Sequence, residues 1–387
     1  MTRASIAVVG GGVMGASVAY HLALRGARDV AVLDRQDRPG RGSTGAATGG
    51  FRAQFATPIN VRLSLMAREK LLRFEEEVGA DPGYAPHGYL WLASTQVELD
   101  ALLWAQRIQH AEGLSEAVEV GPEEIGRLSP AVRLEGVLGG VFCPTDGFIR
   151  PAAILEGYLA AAERLGVRVQ WGTEVTAIRL GEEGRIVRLE TSRGPVDVDS
   201  VVNAAGPWAS TIAAHAGVPL PVEPLRRQAA ATVPCDLLPE QTPMTIFVVD
   251  GFHFRARDRR VLLLKPSPGM EGRPYDASVD PQWVDAVVRA AHDRVPKLRG
   301  AVIDREACWA GLYEMSPDKH AIVGQAGECP NLYLVNGSSG HGVMHAPALG
   351  QLLAEIVLDG AASSLDISAL RPSRFEEGEP NPVSEML

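Results

Sequence analysis

The sequence predicts a mixed fold of the α/β (α+β) class, in which a parallel βαβ unit opens the chain and a strand-rich region follows later. Three observations lead there. A short apolar run, Ile6 to Val9, passes directly into glycines at 10, 12 and 15. The segment Val13 to Leu24 has helical length and a face of small residues (Gly15, Ala16, Ala19, Ala23); it stops at Gly26, and a second apolar run, Val30 to Leu33, follows. From about Val222 to Val302 the pattern changes to short strand-like runs.

Brief apolar runs such as Ile6 to Val9 suit strands of a parallel sheet buried on both faces. The glycines between strand and helix form a Gly10-x-Gly12-x-x-Gly15 pattern. The first permits a tight turn, the second lets backbone approach a pyrophosphate, and the third lets helix and strand pack closely. The helix start then offers unpaired N–H groups and a partial positive charge to phosphates. Asp34 ends the second strand, where a carboxylate can accept hydrogen bonds from ribose hydroxyls. Together these features predict a Rossmann-like dinucleotide site, without separating FAD from NAD.

Further along, Pro58 to Val78 reads as a helix, Gly88 to Ala93 as a strand and Val97 to Ala111 as a helix. Pro151 to Leu165 is helical, with Ala152, Leu155, Leu159 and Ala162 on one face, and leads through Gly166 into a strand, Val167 to Trp171. The strand-rich block contains Thr245 to Val249, Phe252 to Arg255 and Val261 to Lys265, then a helix from Pro281 to Arg294. Leu332 to Val335 is a late strand, Gly337 to Gly342 a glycine-rich turn and Ala346 to Leu358 a final helix. The acidic, proline-containing segment Glu376 to Leu387 reads as a frayed tail.

Composition narrows the function classes. The 387 residues are 46% hydrophobic and 22% charged, ordinary for a two-domain globular chain. A formal charge of -10 is spread along the chain, and the lack of a basic stripe argues against a nucleic-acid partner. Cys143, Cys235, Cys308 and Cys329 form no CxxC pair and no metal-ligand spacing, so reduced thiols and no metal are expected. With neither a leader pattern nor a membrane-length apolar run, the expected location is cytoplasmic.

Several later motifs resemble one family. Val202-Asn203-Ala204-Ala205-Gly206 is similar to the apolar strand ending in A-T/A-G of two-dinucleotide-fold flavoproteins. Gly42-Ser43-Thr44 through Arg52 resembles a flavin-contacting loop. Trp309-Ala310-Gly311-Leu312-Tyr313-Glu314-Met315-Ser316-Pro317-Asp318 and Asn336 to Met344 resemble the D-amino acid oxidase superfamily in its sarcosine oxidase and proline dehydrogenase β-subunit-like branch. The resemblance covers roughly residues 5 to 370. It implies FAD, held non-covalently, in a Rossmann-like domain assembled from discontinuous segments (1–83, 146–215 and 309–375). A mostly antiparallel substrate domain (84–145 and 216–308) would cover it, with 376–387 as a flexible tail.

By the same resemblance, Gly10, Gly12, Val13, Met14 and Gly15 hold the pyrophosphate, Asp34 and Arg35 the ribose end, and Val175 the adenine. The flavin-contacting set is Gly42, Ser43, Thr44, Thr48, Gly49, Ala205, Gly206, Trp208, Gly311, Ser339, Gly340, His341, Gly342, Val343 and Met344. The implied reaction oxidises the C–N bond of an amino acid or N-alkyl amino acid, with a hydride equivalent passing to the flavin and an imine as product. Arg52 is the implied carboxylate clamp, Lys265 the cation that assists oxygen reduction, and Tyr313 a border of the substrate cavity. His341 is read as a structural or backbone element in preference to a catalytic base.

Two positions depart from monomeric sarcosine oxidases. Gly311 stands where those enzymes attach FAD through a cysteine, and Met344 where they keep a second carboxylate-binding lysine. The electron acceptor stays open among oxygen, a quinone and a partner flavoprotein, and the chain could act within a hetero-oligomer. An FAD-dependent 2-hydroxy acid dehydrogenase and a non-catalytic flavin-binding subunit or assembly factor are the alternative readings.

Overall fold

The computed structural model describes residues 2–267 and 273–383. Its first sheet runs, in spatial order, Ile322–Gln325, Leu332–Asn336, Val196–Asn203, Arg3–Val9, Val30–Leu33 and Arg168–Gln170. The neighbours of Arg3–Val9 on both sides are parallel to it. Alternate residues of that strand serve opposite faces: Ile6 and Val8 join one apolar cluster, Ala7 and Val9 another. This two-sided burial is why the sequence shows continuous apolar runs here instead of alternation.

The helix Val13–Leu24 lies against the sheet and against the final helix, Gly342–Asp359. A Cβ at Gly350 would come within 2.1 Å of Ser17 Oγ, and Ser17 Oγ donates to Ala346 O at 2.7 Å. Small residues on both helices therefore set how closely they approach. The final helix begins at Gly342, four residues before the predicted start, and carries Pro347 inside it. The sequence reads Gly337 to Gly342 as a turn, whereas Gly342 is already the first residue of the helix. The predicted helix Pro58 to Val78 is two helices, Pro58–Leu72 and Phe74–Val78, which part at Arg73.

The second sheet runs Trp309–Met315, Glu223–Ala231, Arg260–Leu264, His253–Arg257, Met244–Phe247, Tyr89–Ala93, Gly139–Cys143 and Val118–Val120. It is antiparallel except where Met244–Phe247 meets Tyr89–Ala93. One face packs on the helix Pro281–Arg294 through Trp283, Val287, Phe254 and Leu263. Residues 309–315, grouped by sequence with the dinucleotide unit, are an edge strand of this second sheet, in register with Glu223–Ala231.

Part of the segment after residue 375 is docked, where a frayed tail was expected. Glu379 N donates to Arg374 O at 2.8 Å, and Asn381 donates to Asp318 Oδ2 through both its backbone N and its side-chain Nδ2. The partner lies 63 residues upstream, out of reach of a local reading. Residues 384–387 of the predicted tail lie outside the described residues. Among the described residues, no helix is long and apolar enough to cross a membrane.

Candidate functional site

A cavity of about 1000 Å³ runs from the glycine turn across the face of the second sheet. Its first wall is the turn itself. Gly10 has φ +110°, and a Cβ there would lie 2.3 Å from Ala204 O. Gly15 does not line the cavity; a Cβ on it would strike Gly10 O at 1.9 Å, so its role is close packing and not contact with a ligand. Gly12 differs from both: a Cβ would meet only Thr44 Oγ1, at 3.4 Å, and otherwise open space. The missing side chain at Gly12 therefore leaves room in the cavity instead of relieving contact within the protein. That is the cradle a dinucleotide pyrophosphate requires.

Asp34 does two jobs in the geometry. Its Oδ2 accepts from Gly11 N and its Oδ1 from Gln36 N, both at 2.7 Å, so it ties the glycine turn to the end of the second strand. The same carboxylate lines the cavity, with lone pairs left for hydroxyl donors. Val13 N donates to Thr44 Oγ1 at 3.1 Å, which joins the helix start to the Ser43–Ala46 segment. Nearby, the Arg35 guanidinium lies 3.8 Å over the Trp208 ring, and Trp208 stacks on Tyr275. Val175, Ala205 and Gly206 complete this flat-walled end. Turn, acidic strand end and aromatic wall fit the phosphates, ribose and base of a dinucleotide.

Gly42, Ser43, Thr44, Thr48 and Gly49 line the middle of the cavity, opposite Gly311. The strand Trp309–Met315 presses on this loop: Ser43 Oγ donates to Leu312 O and Trp309 Nε1 to Ala46 O. A Cβ at Gly311 would come within 2.6 Å of Ala46 Cβ. A cysteine cannot stand there without displacing the loop. Cys308 donates instead to Asp304 O and does not line the cavity.

Arg52, Lys265 and Tyr313 line the same cavity. Arg52 is 8% exposed. It donates from Nη1 to Gln54 O at 2.7 Å, and its Nη2 lies 3.3 Å from His341 Nε2. The guanidinium sits 4.0 Å over the Phe55 ring, with Trp91 at 5.3 Å. Among the described residues no carboxylate pairs with it. Burial pulls its pKa down to about 10, still charged at neutral pH. Burial, and next the Arg52 charge, hold His341 well below the usual histidine range. His341 is thus a neutral acceptor that orients Arg52. Asp146, fully buried behind Arg52, accepts from the Ala53 and Gln54 backbone and does not touch the guanidinium.

Lys265 is not a free cation. Its Nζ donates to Asp250 Oδ2 at 2.7 Å, and Arg294 holds Asp250 Oδ1. Burial works against the Asp250 charge, yet hydrogen bonds from Arg294 and Lys265 leave its carboxyl below the usual range. At the other glycine-rich turn, a Cβ at Gly340 would lie 2.3 Å from the Tyr313 ring, at φ +96°. Ser339, Gly340, Gly342, Val343 and Met344 line the cavity here, and the last three begin the final helix. Sequence reasoning missed Glu314 beside them. Burial pushes its carboxyl up to about 7, and Oε2 has no hydrogen-bond partner among the described residues. It also missed Tyr89, Trp91, Arg227 and His253, all on the cavity wall from the second sheet. Ordinary strand alternation hides them, because nothing local marks which strand faces a ligand.

The sequence profile of the DAO family, FAD dependent oxidoreductase, matches residues 5–356. FAD-dependent oxidoreductase domain-containing protein 1 from Bos taurus is 30% identical over 430 residues, covering 97% of this chain and 86% of its own. Mitochondrial dimethylglycine dehydrogenase from Mus musculus is 29% identical over 96% of this chain, which spans 44% of that longer protein. Among solved structures, L-proline dehydrogenase from P. horikoshii superposes with a TM-score of 0.90 at 29% identity, covering 98% of this chain and all of its own.

Proposed function

Because this chain belongs to the DAO family of FAD-dependent oxidoreductases, we propose that it oxidises the C–N bond beside the carboxylate of an amino acid or N-alkyl amino acid. The observation that carries the reading is Arg52, a buried guanidinium on the cavity wall, oriented by Gln54 O and His341 and lacking a carboxylate partner among the described residues. Relatives named for dimethylglycine and L-proline dehydrogenation support the same class of substrate.

Bound FAD supplies the acceptor for two electrons and the hydrogen that leave the substrate carbon as C–N becomes C=N. The chain's own residues do the rest. Arg52 fixes the carboxylate with a planar fork that can grip both oxygens. Its positive charge disfavours an ammonium bound beside it, so the substrate reacts as the neutral amine, its proton released to water. Trp91, Ile246, Val248 and Met344 supply apolar wall that limits water around the reacting carbon. The positive end of the final helix, at Gly342 to Met344, faces the cavity and favours negative charge there. The flavin is held without a covalent bond, and acid precipitation is expected to release it into the supernatant; yellow colour retained in the pellet contradicts the reading of Gly311.

Two experiments test the reaction. Amino acids, N-methyl amino acids and 2-hydroxy acids are mixed anaerobically with the holoprotein, and flavin bleaching is followed. Bleaching by amines alone is the expected result, and bleaching by hydroxy acids alone overturns the reading. Arg52→Lys, which trades the fork for a point charge, is expected to lower kcat/KM on the best amine by about 1.5–3 kcal/mol. An unchanged value moves the clamp elsewhere.

The electron acceptor is oxygen, a quinone or a partner flavoprotein, and Lys265 separates these. In Lys265→Met, Asp250 keeps Arg294, so the strand pair stays supported. Stopped-flow is expected to show reoxidation by oxygen slowed far more than anaerobic reduction, since a cation stabilises charge developing on oxygen. Reoxidation that is slow in the parent and unchanged in the variant assigns Lys265 to structure and favours a quinone or flavoprotein acceptor.

A further inference from the structure

A second guanidinium faces the same cavity, and nothing in the reaction proposed above uses it. Arg227 lies on the strand Glu223–Ala231, opposite Gly311 in register. Its Nη1 donates to Ser267 O at 2.9 Å and to Arg226 O at 3.3 Å, while its Nε and Nη2 have no hydrogen-bond partner among the described residues. No carboxylate of the described residues pairs with it. The guanidinium stands 5.6 Å from the Tyr313 ring centroid, and Arg52, Tyr313, His253 and Arg227 all line the same cavity. The two cations thus flank one stretch of cavity wall.

The neighbouring charges do not cancel them. Of the acids lining the cavity nearby, Asp250 is already shared by Lys265 and Arg294, and burial raises the Glu314 carboxyl to about 7. Asp146 is bound by backbone behind Arg52. The contrast with Arg255 is instructive: it spends Nη1 on Thr48 O and Gly49 O, covers Phe148 at 3.6 Å and does not line the cavity. Arg255 supports a loop, whereas Arg227 lines the cavity with two of its nitrogens uncommitted among the described residues. An anion that reaches a half-buried guanidinium with uncommitted donors replaces water there with charge-assisted hydrogen bonds.

We infer that Arg227 is a specificity-determining residue and that the substrate is an amino acid bearing a second carboxylate, with Arg52 taking one acid group and Arg227 the other. This rests on the amine-oxidising reading for the words "amino acid", but not for the two anion subsites. Met344, at the position where a lysine supplies the second cation in similar enzymes, does not leave the cavity short of charge. The positive group comes from a strand of the second sheet and not from the final helix, and so addresses a different part of the ligand.

Binding without turnover tests the subsites separately from the chemistry. Malonate, succinate and glutarate, and the monocarboxylates acetate, propionate and butyrate, are titrated into the FAD holoprotein and followed by perturbation of the flavin spectrum. The best dicarboxylate is expected to bind roughly 10- to 100-fold more tightly than the best monocarboxylate. In Arg227→Met that advantage is expected to vanish, with monocarboxylate affinity altered less than about threefold. Arg52→Lys is expected to weaken both classes. Equal affinities in the parent protein overturn the inference, as does an Arg227→Met variant that weakens both classes equally or loses flavin. If no amine reduces the flavin but the dicarboxylate advantage and its loss are seen, the reaction assignment fails and the second anion subsite stands.

Discussion

Gly12→Val is expected to yield a folded protein that retains no flavin. Three glycines share the turn, and the structure gives each a different reason to lack a side chain. At Gly10 and Gly15 the added Cβ would meet backbone oxygen at 2.3 and 1.9 Å, so substitution disturbs the strand–helix junction itself. At Gly12 the added atom meets only the Thr44 hydroxyl, at 3.4 Å, an ordinary contact. The backbone there is extended, with φ -73° and ψ -179°, and a β-branched residue adopts it without strain. The volume a valine would fill belongs to the cavity, where backbone must come close to a pyrophosphate. An affinity loss of at least about 100-fold, roughly 2.8 kcal/mol, is expected. The ratio of flavin to protein absorbance measures it, and circular dichroism with a melting curve checks the fold. Because bound FAD itself raises stability, the fair comparison is with apoprotein of the parent chain. Gly15→Ala is the converse control and is expected to melt earlier than that apoprotein. A Gly12→Val protein with normal flavin content removes the basis for placing the cofactor at this turn.

That glycine turn was also the most legible part of the sequence, for a physical reason. Its signals are local: apolar runs buried on both faces, glycines at fixed offsets and a carboxylate at the next strand end all lie within residues 6 to 34. The helix Pro281–Arg294 was legible for the same reason, with Pro281 at its first position and Asp280 capping it. The far wall of the cavity was not. Tyr89, Trp91, Arg227 and His253 sit on strands that read as ordinary pleated segments, and the pairing of the second sheet brings them to one surface. Asp250 is separated from Lys265 by one hairpin, yet only the pairing of His253–Arg257 with Arg260–Leu264 shows that the acid meets the lysine. Resemblance to a family supplied Arg52 and Lys265, but not their partners. At Gly15 it named a pyrophosphate contact, whereas the reading of the third glycine as allowing close helix–strand packing agrees with the 1.9 Å approach of a Cβ there to Gly10 O.

The buried Arg374–Asp318 pair, on which the segment after residue 375 docks, gives the largest expected effect on stability. Arg374→Met is expected to destabilise the protein by about 3–5 kcal/mol, because it strands a buried carboxylate. Arg374 is fully buried and Asp318 is 1% exposed. The guanidinium donates from Nε to Asp318 Oδ2 at 2.8 Å and from Nη2 to Asp318 Oδ1 at 3.0 Å. Its remaining donors reach His320 O, Leu370 O and Arg371 O. Asp318 in turn accepts from His320 N, Ser316 Oγ and Asn381, so one pair pins three segments of chain. Ser316 continues the link through its backbone N to Ser339 Oγ, beside the turn that carries Gly340. Burial raises the Asp318 pKa, but hydrogen bonds from Arg374 and Asn381 outweigh it and bring it down to about 2. A depressed carboxyl contributes stability that is present above its unfolded pKa, about 3.9, and lost as pH falls through the folded value, so the contribution is complete at neutral pH. Without Arg374 only the hydrogen bonds from Asn381, His320 and Ser316 oppose the burial effect, and the carboxyl titrates at higher pH. The deficit of the variant, measured by chemical denaturation at matched flavin load, is therefore expected to shrink as pH is lowered from 7 towards 4. Adding Asp318→Asn removes the stranded charge and is expected to recover part of the loss at neutral pH. A deficit that is independent of pH and unaffected by Asp318→Asn shows that Arg374 acts through packing alone.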